Sequence, residues 1–347
     1  MDYLVTVVVA LHNSSKDLLC CIGFLRRQTF RNFFVLFVDD CSADDTLLVL
    51  KNALEKEALP FDLLRKSKND GAGKTRDYAL ESGLIRTKYV LFLDPDDEPL
   101  PDFLESLVEK AEETNADITM CGYERRLRSD GHLIATEMVN NPNSISDLEN
   151  CRIIPYLNPA TWNKLFKTSI IEDARFINRG GGEDEMFFLK VLPRCNVIAF
   201  VNRVLYRYFI HGNSVSSFTN CELLLLTRNG YVEVKKYYES HGDAYAKFYD
   251  LLEASIFVRF GIGATTRLCL TYPKKIRVTL KENKLFFRKF FPNWFCNPFL
   301  SFKTSFFGGI KALMVWRCKW LFKLGLFRIF IFDYKLFTRV FKKDVKW

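Results

Sequence analysis

Tyr89-Val90-Leu91-Phe92-Leu93-Asp94-Pro95-Asp96-Asp97-Glu98 is the stretch on which the reading of the fold turns. Five apolar or aromatic residues in a row suit a strand buried on both faces of a parallel sheet. Four acids in the next five positions then end it. Carboxylates this close repel one another unless a cation offsets them. Hard oxygen ligands suit Mg²⁺ or Mn²⁺, which also take phosphate oxygens. A solvated acidic turn ahead of a helix opened by Pro101 is the other reading of the same residues.

Outward from this stretch the pattern repeats. Val5–Ala10 and Phe34–Val38 are further continuous apolar runs, and they stop at His12-Asn13 and at Asp39-Asp40. His12 to Ser15 can cap a helix whose inner stripe is Leu18, Ile22 and Leu25. Ser42 can cap another, with Asp44 and Asp45 in its first turn and Leu47, Leu50 and Leu54 inside. A short strand near Phe61–Leu64, a loop at Asn69–Gly73 and a helix from Lys74 to Ser82 follow. A helix from Pro101 to Asn115 and a strand at Asp117–Cys121 come after the acid cluster. Strand and helix alternate, which predicts a doubly wound α/β domain over residues 1–122. Ligands of such sheets bind beyond the carboxyl ends of the strands, so the three polar clusters point to one crevice.

The loop Asn69-Asp70-Gly71-Ala72-Gly73-Lys74-Thr75-Arg76-Asp77 lacks the spacing of an ATP-binding phosphate loop. Its glycines allow close backbone approach, and Arg76 can reach a phosphate or a carboxylate; a plain loop and helix start is the alternative. Asp39 and Asp40 can accept hydrogen bonds from a base or ribose, or can cap the next helix. Further on, Gly180–Gly182 precede Glu183, Asp184 and Glu185. This reads either as an acidic group in a loop or as an acid-rich helix start.

The chain has 347 residues, 48% of them apolar, and a net charge of +9. That is ample for a packed core and rules against global disorder. The ten cysteines form no CxxC pair and no Cys/His set with zinc spacing, so buried reduced thiols are expected. No basic n-region or cleavage site opens the sequence, and no uncharged apolar stretch reaches a membrane-spanning length of about 18 residues. A signal peptide and an ordinary membrane span are therefore not expected. The charge is uneven. Residues 271–347 hold 18 Lys/Arg against 3 Asp/Glu, together with 21 aromatic residues. From 286 to 347, aromatics interleave with Lys and Arg, which suits segments lying on an anionic membrane surface, a packed helical subdomain or, least, a nucleic-acid surface.

Taken in order, these motifs resemble family 2 of the inverting glycosyltransferases, which have the GT-A fold. The resemblance is carried by Ala10-Leu11-His12-Asn13, Gln28-Thr29-Phe30, Val38-Asp39-Asp40-Cys41-Ser42-Ala43-Asp44, Asn69-Asp70-Gly71 through Arg76-Asp77, and Asp94-Pro95-Asp96-Asp97. It covers residues 4–122 closely. Weaker matches follow at Trp162–Lys167, at Glu183-Asp184-Glu185-Met186-Phe187, and from Tyr206 to Ser214 by way of His211. Ala10 and His12 stand where the family usually has a proline and an aromatic, and Lys74, Thr75 and Asp77 replace small residues and an asparagine around Arg76.

The resemblance implies transfer of a sugar from a nucleotide-diphosphate sugar, usually a UDP-sugar, to an acceptor hydroxyl with inversion and with Mn²⁺ or Mg²⁺. It implies Asp184 as general base with Glu183 in reserve. It implies donor binding by His12, Asn13, Asp39, Asp40, Arg76, Asp94, Asp96 and His211, and a metal at Asp96 or Asp97. The expected organisation is a nucleotide-sugar core at 1–122, an acceptor-side part of the same domain at 123–220 and a helical, basic and aromatic extension at 221–347. A glycan or lipid-linked acceptor, a cytoplasmic protein peripheral on the inner membrane face, and no nucleic-acid partner complete the expectation. A non-catalytic nucleotide-sugar binder on the same fold is the alternative. A nucleotidyltransferase is disfavoured, because no Gly-rich basic loop follows the first strand.

Overall fold

The structure is a computed structural model that describes residues 3–55, 59–177, 182–210, 221–302 and 309–341. The chain divides into two compact units. One comprises residues 1–146 and 159–212, the other residues 147–158 and 213–347.

The first unit is built on a ten-stranded mixed sheet. Its strands are β1 (Val5–Leu11), β2 (Phe33–Asp39), β3 (Phe61–Arg65), β4 (Tyr89–Leu93), β5 (Glu98–Pro99), β6 (Ile118–Leu127), β7 (Leu133–Glu137), β8 (Ser144–Ile145), β9 (Lys164–Lys167) and β10 (Ile198–Ile210). The order is β3-β2-β1-β4-β9-β6-β10-β5, with β7 beside β6 and β8 beside β10. β3, β2, β1 and β4 are parallel, and β9 runs antiparallel between β4 and β6. The apolar runs of β1, β2 and β4 are buried throughout or nearly so, as their unbroken composition requires.

The helices of this unit are α1 (Leu18–Arg26), α2 (Thr46–Leu54), α3 (Ala72–Glu81), α4 (Phe103–Thr114) and α5 (Glu183–Val191). The stripe Leu18, Ile22 and Leu25 joins Val5, Val7, Val9, Leu91 and Leu93 in one core, with Leu50, Leu54 and Leu107. Each such side chain contributes about 1.5–3 kcal/mol on burial.

Two helix starts differ from expectation. The side chains of residues 12–15 do not cap α1, which follows Asp17 without a side-chain cap. Ser42 does not cap α2, which starts only at Thr46. Instead Asn13, in a left-handed conformation, accepts from the amides of Ala43 and Asp44, and its own amide donates to Ser42 Oγ. These short polar side chains therefore lock the ends of β1 and β2 together. Beyond residue 122 the sheet continues through β6 and β10, a parallel pair with register shifts around Val204. Gly122 lies at this irregularity, where a Cβ would stand 2.7 Å from the Arg203 carbonyl oxygen.

The second unit is helical. It contains α6 (Cys221–Ser240), α7 (Asp243–Ala246), α8 (Tyr249–Ile256), α9 (Thr265–Thr271), α10 (Ile276–Phe290), α11 (Gly309–Leu324) and α12 (Phe327–Phe341), and a π-helical stretch at Phe257–Ala264 joins α8 to α9. Its core is aromatic. Phe257 packs on Phe287, Trp294 and Phe322 with ring centroids 4.6–5.5 Å apart. The aromatic end of the chain is thus a packed helical subdomain, whose inward rings hold it together. The segment 147–158 also belongs here, against the expectation of a unit confined to 221–347. No helix of the described residues is long and apolar enough to cross a membrane.

Candidate active site

The carboxyl ends of β1, β2 and β4 lie side by side, since Leu11 pairs with Asp39 and Val9 with Leu93. Residues 12–13, 39–40 and 94–97 therefore gather at one edge of the sheet.

On one side stands His12, which is exposed. Its Nδ1 lies 2.9 Å from the Asp40 carbonyl oxygen. A carbonyl only accepts, so Nδ1 carries the proton and Nε2 is the acceptor. Asn13 Nδ2 and Asn69 Nδ2 supply the donors, at 3.1 and 2.9 Å. The imidazole is thus held by three groups from three segments.

Asp39 and Asp40, expected to meet a base or ribose, are both buried. Asp39 accepts from the Ser42 amide and faces Arg65 Nε at 3.4 Å. Asp40 accepts from Lys66 Nζ at 2.6 Å and from the amides of Asp70 and Gly71. Burial would raise the Asp40 carboxyl, but Lys66 and the two amides outweigh it and hold it below the ordinary range. Asp40 therefore fixes the 69–71 loop, while His12 and Asn69 stand at the exposed edge. Lys66 escaped sequence reading because nothing local marks a lysine as buried.

The other side is centred on Arg76, in α3 and only 5% exposed. Its Nη2 donates to Asp94 Oδ1 at 2.7 Å and its Nη1 to Asp184 Oδ1 at 2.8 Å. Its guanidinium lies 5.4 Å from the Phe176 ring centroid. Burial would lower this group, but Asp184 and Asp94 outweigh that and keep it cationic. The second oxygen of Asp184 accepts from the Thr161 amide at 3.2 Å. Asp184 lies in the first turn of α5, which Gly182 opens at φ +77°. Beside it, Glu183 Oε2 accepts from the Gly73 amide at 2.9 Å. A Cβ on Gly73 would stand 2.6 Å from that oxygen and would push the Glu183 carboxylate aside.

Asp94 is pushed up to about 6, by burial first and then by Asp96 and Asp184, with Arg76 opposing. Asp96 is half-buried, and Arg128 donates to its backbone carbonyl at 2.8 Å. Asp97, expected as a metal ligand, is instead turned inward and 2% exposed. Its oxygens accept from the Tyr206 hydroxyl and the Phe209 amide, both at 2.9 Å. This carboxylate ties the turn after β4 to β10. Burial, with Asp96 and Asp94 nearby, raises it above the ordinary range. His211 lies outside the described residues.

Asp94 and Asp184 thus share a single buried guanidinium, and Asp96 and Asp184 both act on Asp94. Among the described residues no set of three or more His, Cys, Asp or Glu side chains is arranged to hold a metal by itself. Mg²⁺ and Mn²⁺ at phosphate sites commonly use one or two carboxylates plus the substrate's oxygens. Asp96 with Asp94 fits that donor set.

A family model described as glycosyl transferase family 2 matches residues 6–174. The glycosyltransferase GlyA of Streptococcus pneumoniae is 27% identical over 225 residues, covering 62% of this chain and 32% of that protein. The poly(ribitol-phosphate) beta-N-acetylglucosaminyltransferase TarS of Staphylococcus aureus is 27% identical over 208 residues, covering 58% of this chain and 35% of TarS. The chain therefore spans about a third of the length of these relatives. Among solved structures, S. aureus TarS 1-349 in complex with UDP-GlcNAc superposes with a TM-score of 0.71 at 19% identity, covering 93% of this chain and 92% of that one. A mannosyltransferase from Pyrobaculum calidifontis, in complex with GDP-Man and Mn²⁺, gives a TM-score of 0.55 at 16% identity, with 82% and 76% covered.

Proposed function

We propose, for a chain whose residues 6–174 belong to glycosyl transferase family 2, that the crevice transfers a sugar from a UDP-sugar to an acceptor hydroxyl with inversion at the anomeric carbon. The observation that carries this reading is Arg76, which joins the acid cluster after β4 to Asp184 on α5. Donor-side and base-side carboxylates thereby share one site. The GT-A fold supports it, and the UDP-GlcNAc complex of TarS supports a UDP donor.

In this reading His12 and Asn69 face the nucleoside, while Asp40 and Asn13 hold the backbone around it. Asp94 and Asp96 meet the ribose or sugar. A divalent cation at Asp96, when bound, offsets the charge that the departing diphosphate gains. Asp184 is the general base. It takes the acceptor proton as the acceptor oxygen bonds to the anomeric carbon and the bond to the diphosphate breaks. Arg76 and the Thr161 amide aim its carboxylate. Glu183 is spent on the Gly73 amide and positions α5. The acceptor is a glycan or a lipid-linked glycan of a surface polymer, and a lipid-linked acceptor would set the work at the inner face of the cell membrane.

A screen of nucleotide sugars with Mn²⁺, reading release of the nucleoside diphosphate, tests this. UDP-sugars are expected to be turned over, with activity lost to a chelator and restored by Mn²⁺ or Mg²⁺. Donor binding without hydrolysis or transfer would replace the transferase by a nucleotide-sugar binder. Full activity in chelator would remove the metal from Asp96.

A further inference from the structure

We propose that the outward face of α12 is a docking surface for an anionic lipid bilayer. The inference concerns the helical unit alone and does not rest on the transferase reading.

In α12 the core stripe is Phe327, Phe330, Ile331 and Tyr334, all buried. Among its described side chains the opposite face is not polar. Ile329, Phe332 and Leu336 follow one another at helical spacing and are 43%, 68% and 52% exposed. Exposed Arg328, Lys335 and Arg339 flank them. α10 shares only part of this design. Its core stripe includes Ile276, Leu280, Phe286 and Phe287, while Val278 and Leu285 point outward at 59% and 56% exposure. Arg277, Lys281, Arg288 and Lys289 are exposed beside them, and exposed Glu282, which accepts from Arg228, stands between them.

A helix that only has to pack needs one apolar stripe and a polar outside. On α12 a second apolar line thus runs along the solvent face, with long cationic side chains along one edge of it. This combination suits the boundary between lipid headgroups and acyl chains, where apolar side chains enter hydrocarbon and Lys and Arg stems reach back to phosphate.

Charge selects among occupants. Residues 271–347 carry 18 Lys/Arg against 3 Asp/Glu. A second copy would bring the same cations face to face. A nucleic acid would meet the cations but offers no partner for Ile329 and Leu336, which cannot stack on bases. An anionic bilayer answers both features.

The test is sedimentation of the full chain with vesicles of phosphatidylcholine alone and with about one third phosphatidylglycerol. Binding is expected to the mixed vesicles only and to weaken with salt. The pair Ile329→Glu with Phe332→Glu, and separately Lys335→Glu with Arg339→Glu, should each cut that binding at least about tenfold without changing the melting temperature. Leu48→Glu on α2 alters an equally exposed apolar residue of the other unit and should bind like the unaltered chain. Equal binding to neutral vesicles, or undiminished binding by both paired variants, overturns the proposal. So does a concentration-dependent dimer that Phe332→Glu breaks in the absence of any vesicle binding, which would make a second copy the occupant.

Discussion

The two oxygens of Asp184 accept from different groups, one from the Arg76 guanidinium and the other from the Thr161 amide. Asparagine has the same shape but cannot take a proton, so Asp184→Asn tests the proposed base. It should keep UDP-sugar affinity, read by calorimetry, and lose at least about 100-fold in turnover, the lower end for removing a general base. Near-normal turnover would move the base elsewhere. At this scale the sequence named the residue types well and their tasks less well. Asp94, Asp184 and Arg76 were each legible because acids after a buried strand, acids at a helix start and an arginine just after a glycine loop all carry local signals. That Arg76 bridges the other two was not, since it lies 18 and 108 positions from them. The inward turn of Asp97 was not legible for the same reason. Its neighbours in the chain suggest a metal ligand, while its partners Tyr206 and Phe209 are strand residues more than a hundred positions away.

Elements were legible where period and composition agree. β1, β2 and β4 are continuous apolar runs, and every one was expected within a residue or two. The caps were not, because Asn13 and Ser42 spend their side chains on each other's loops, a tertiary use that outweighs the local capping preference. β10 escaped notice because a thirteen-residue strand with register shifts shows no clean alternation. One element carries a pH signature. Glu253 on α8 is 6% exposed and accepts from the Asn293 amide and Asn297 Nδ2. Burial pushes it up from 4.5 to about 7, with those donors opposing. An acid raised in the folded state favours folding while protonated, and this contribution is lost as pH rises from about 4.5 to about 7, where the unfolded chain has already released its proton. Melting of the helical unit should therefore move to lower temperature over this range. Glu253→Gln, which cannot ionise, should flatten that slope. An unchanged slope would show that Glu253 does not set it.

At the scale of the whole molecule, the charge asymmetry was legible but the connectivity behind it was not. A basic aromatic end reads as a detachable tail, because interleaved Phe and Lys look alike whether the rings face a core or a membrane. The ring contacts decide it. Phe257, in the π-helical stretch before residue 286, packs on Phe287, Trp294 and Phe322, all beyond it. Asn297 also caps its own short turn and binds the Asp250 carbonyl. Removing residues 286–347 would thus take Phe287, Trp294 and Phe322 from Phe257, take Phe286 and Phe287 from Phe260, and leave Glu253 without the donors at 293 and 297. Losing several buried aromatics, at about 3–5 kcal/mol for a single Phe or Trp truncated to Ala, exceeds what a domain of marginal stability can absorb. The shortened chain should bind a hydrophobic dye and aggregate. A soluble, monomeric 1–285 fragment with a sharp near-ultraviolet aromatic signal would mean that the helical unit has a core independent of its last helices.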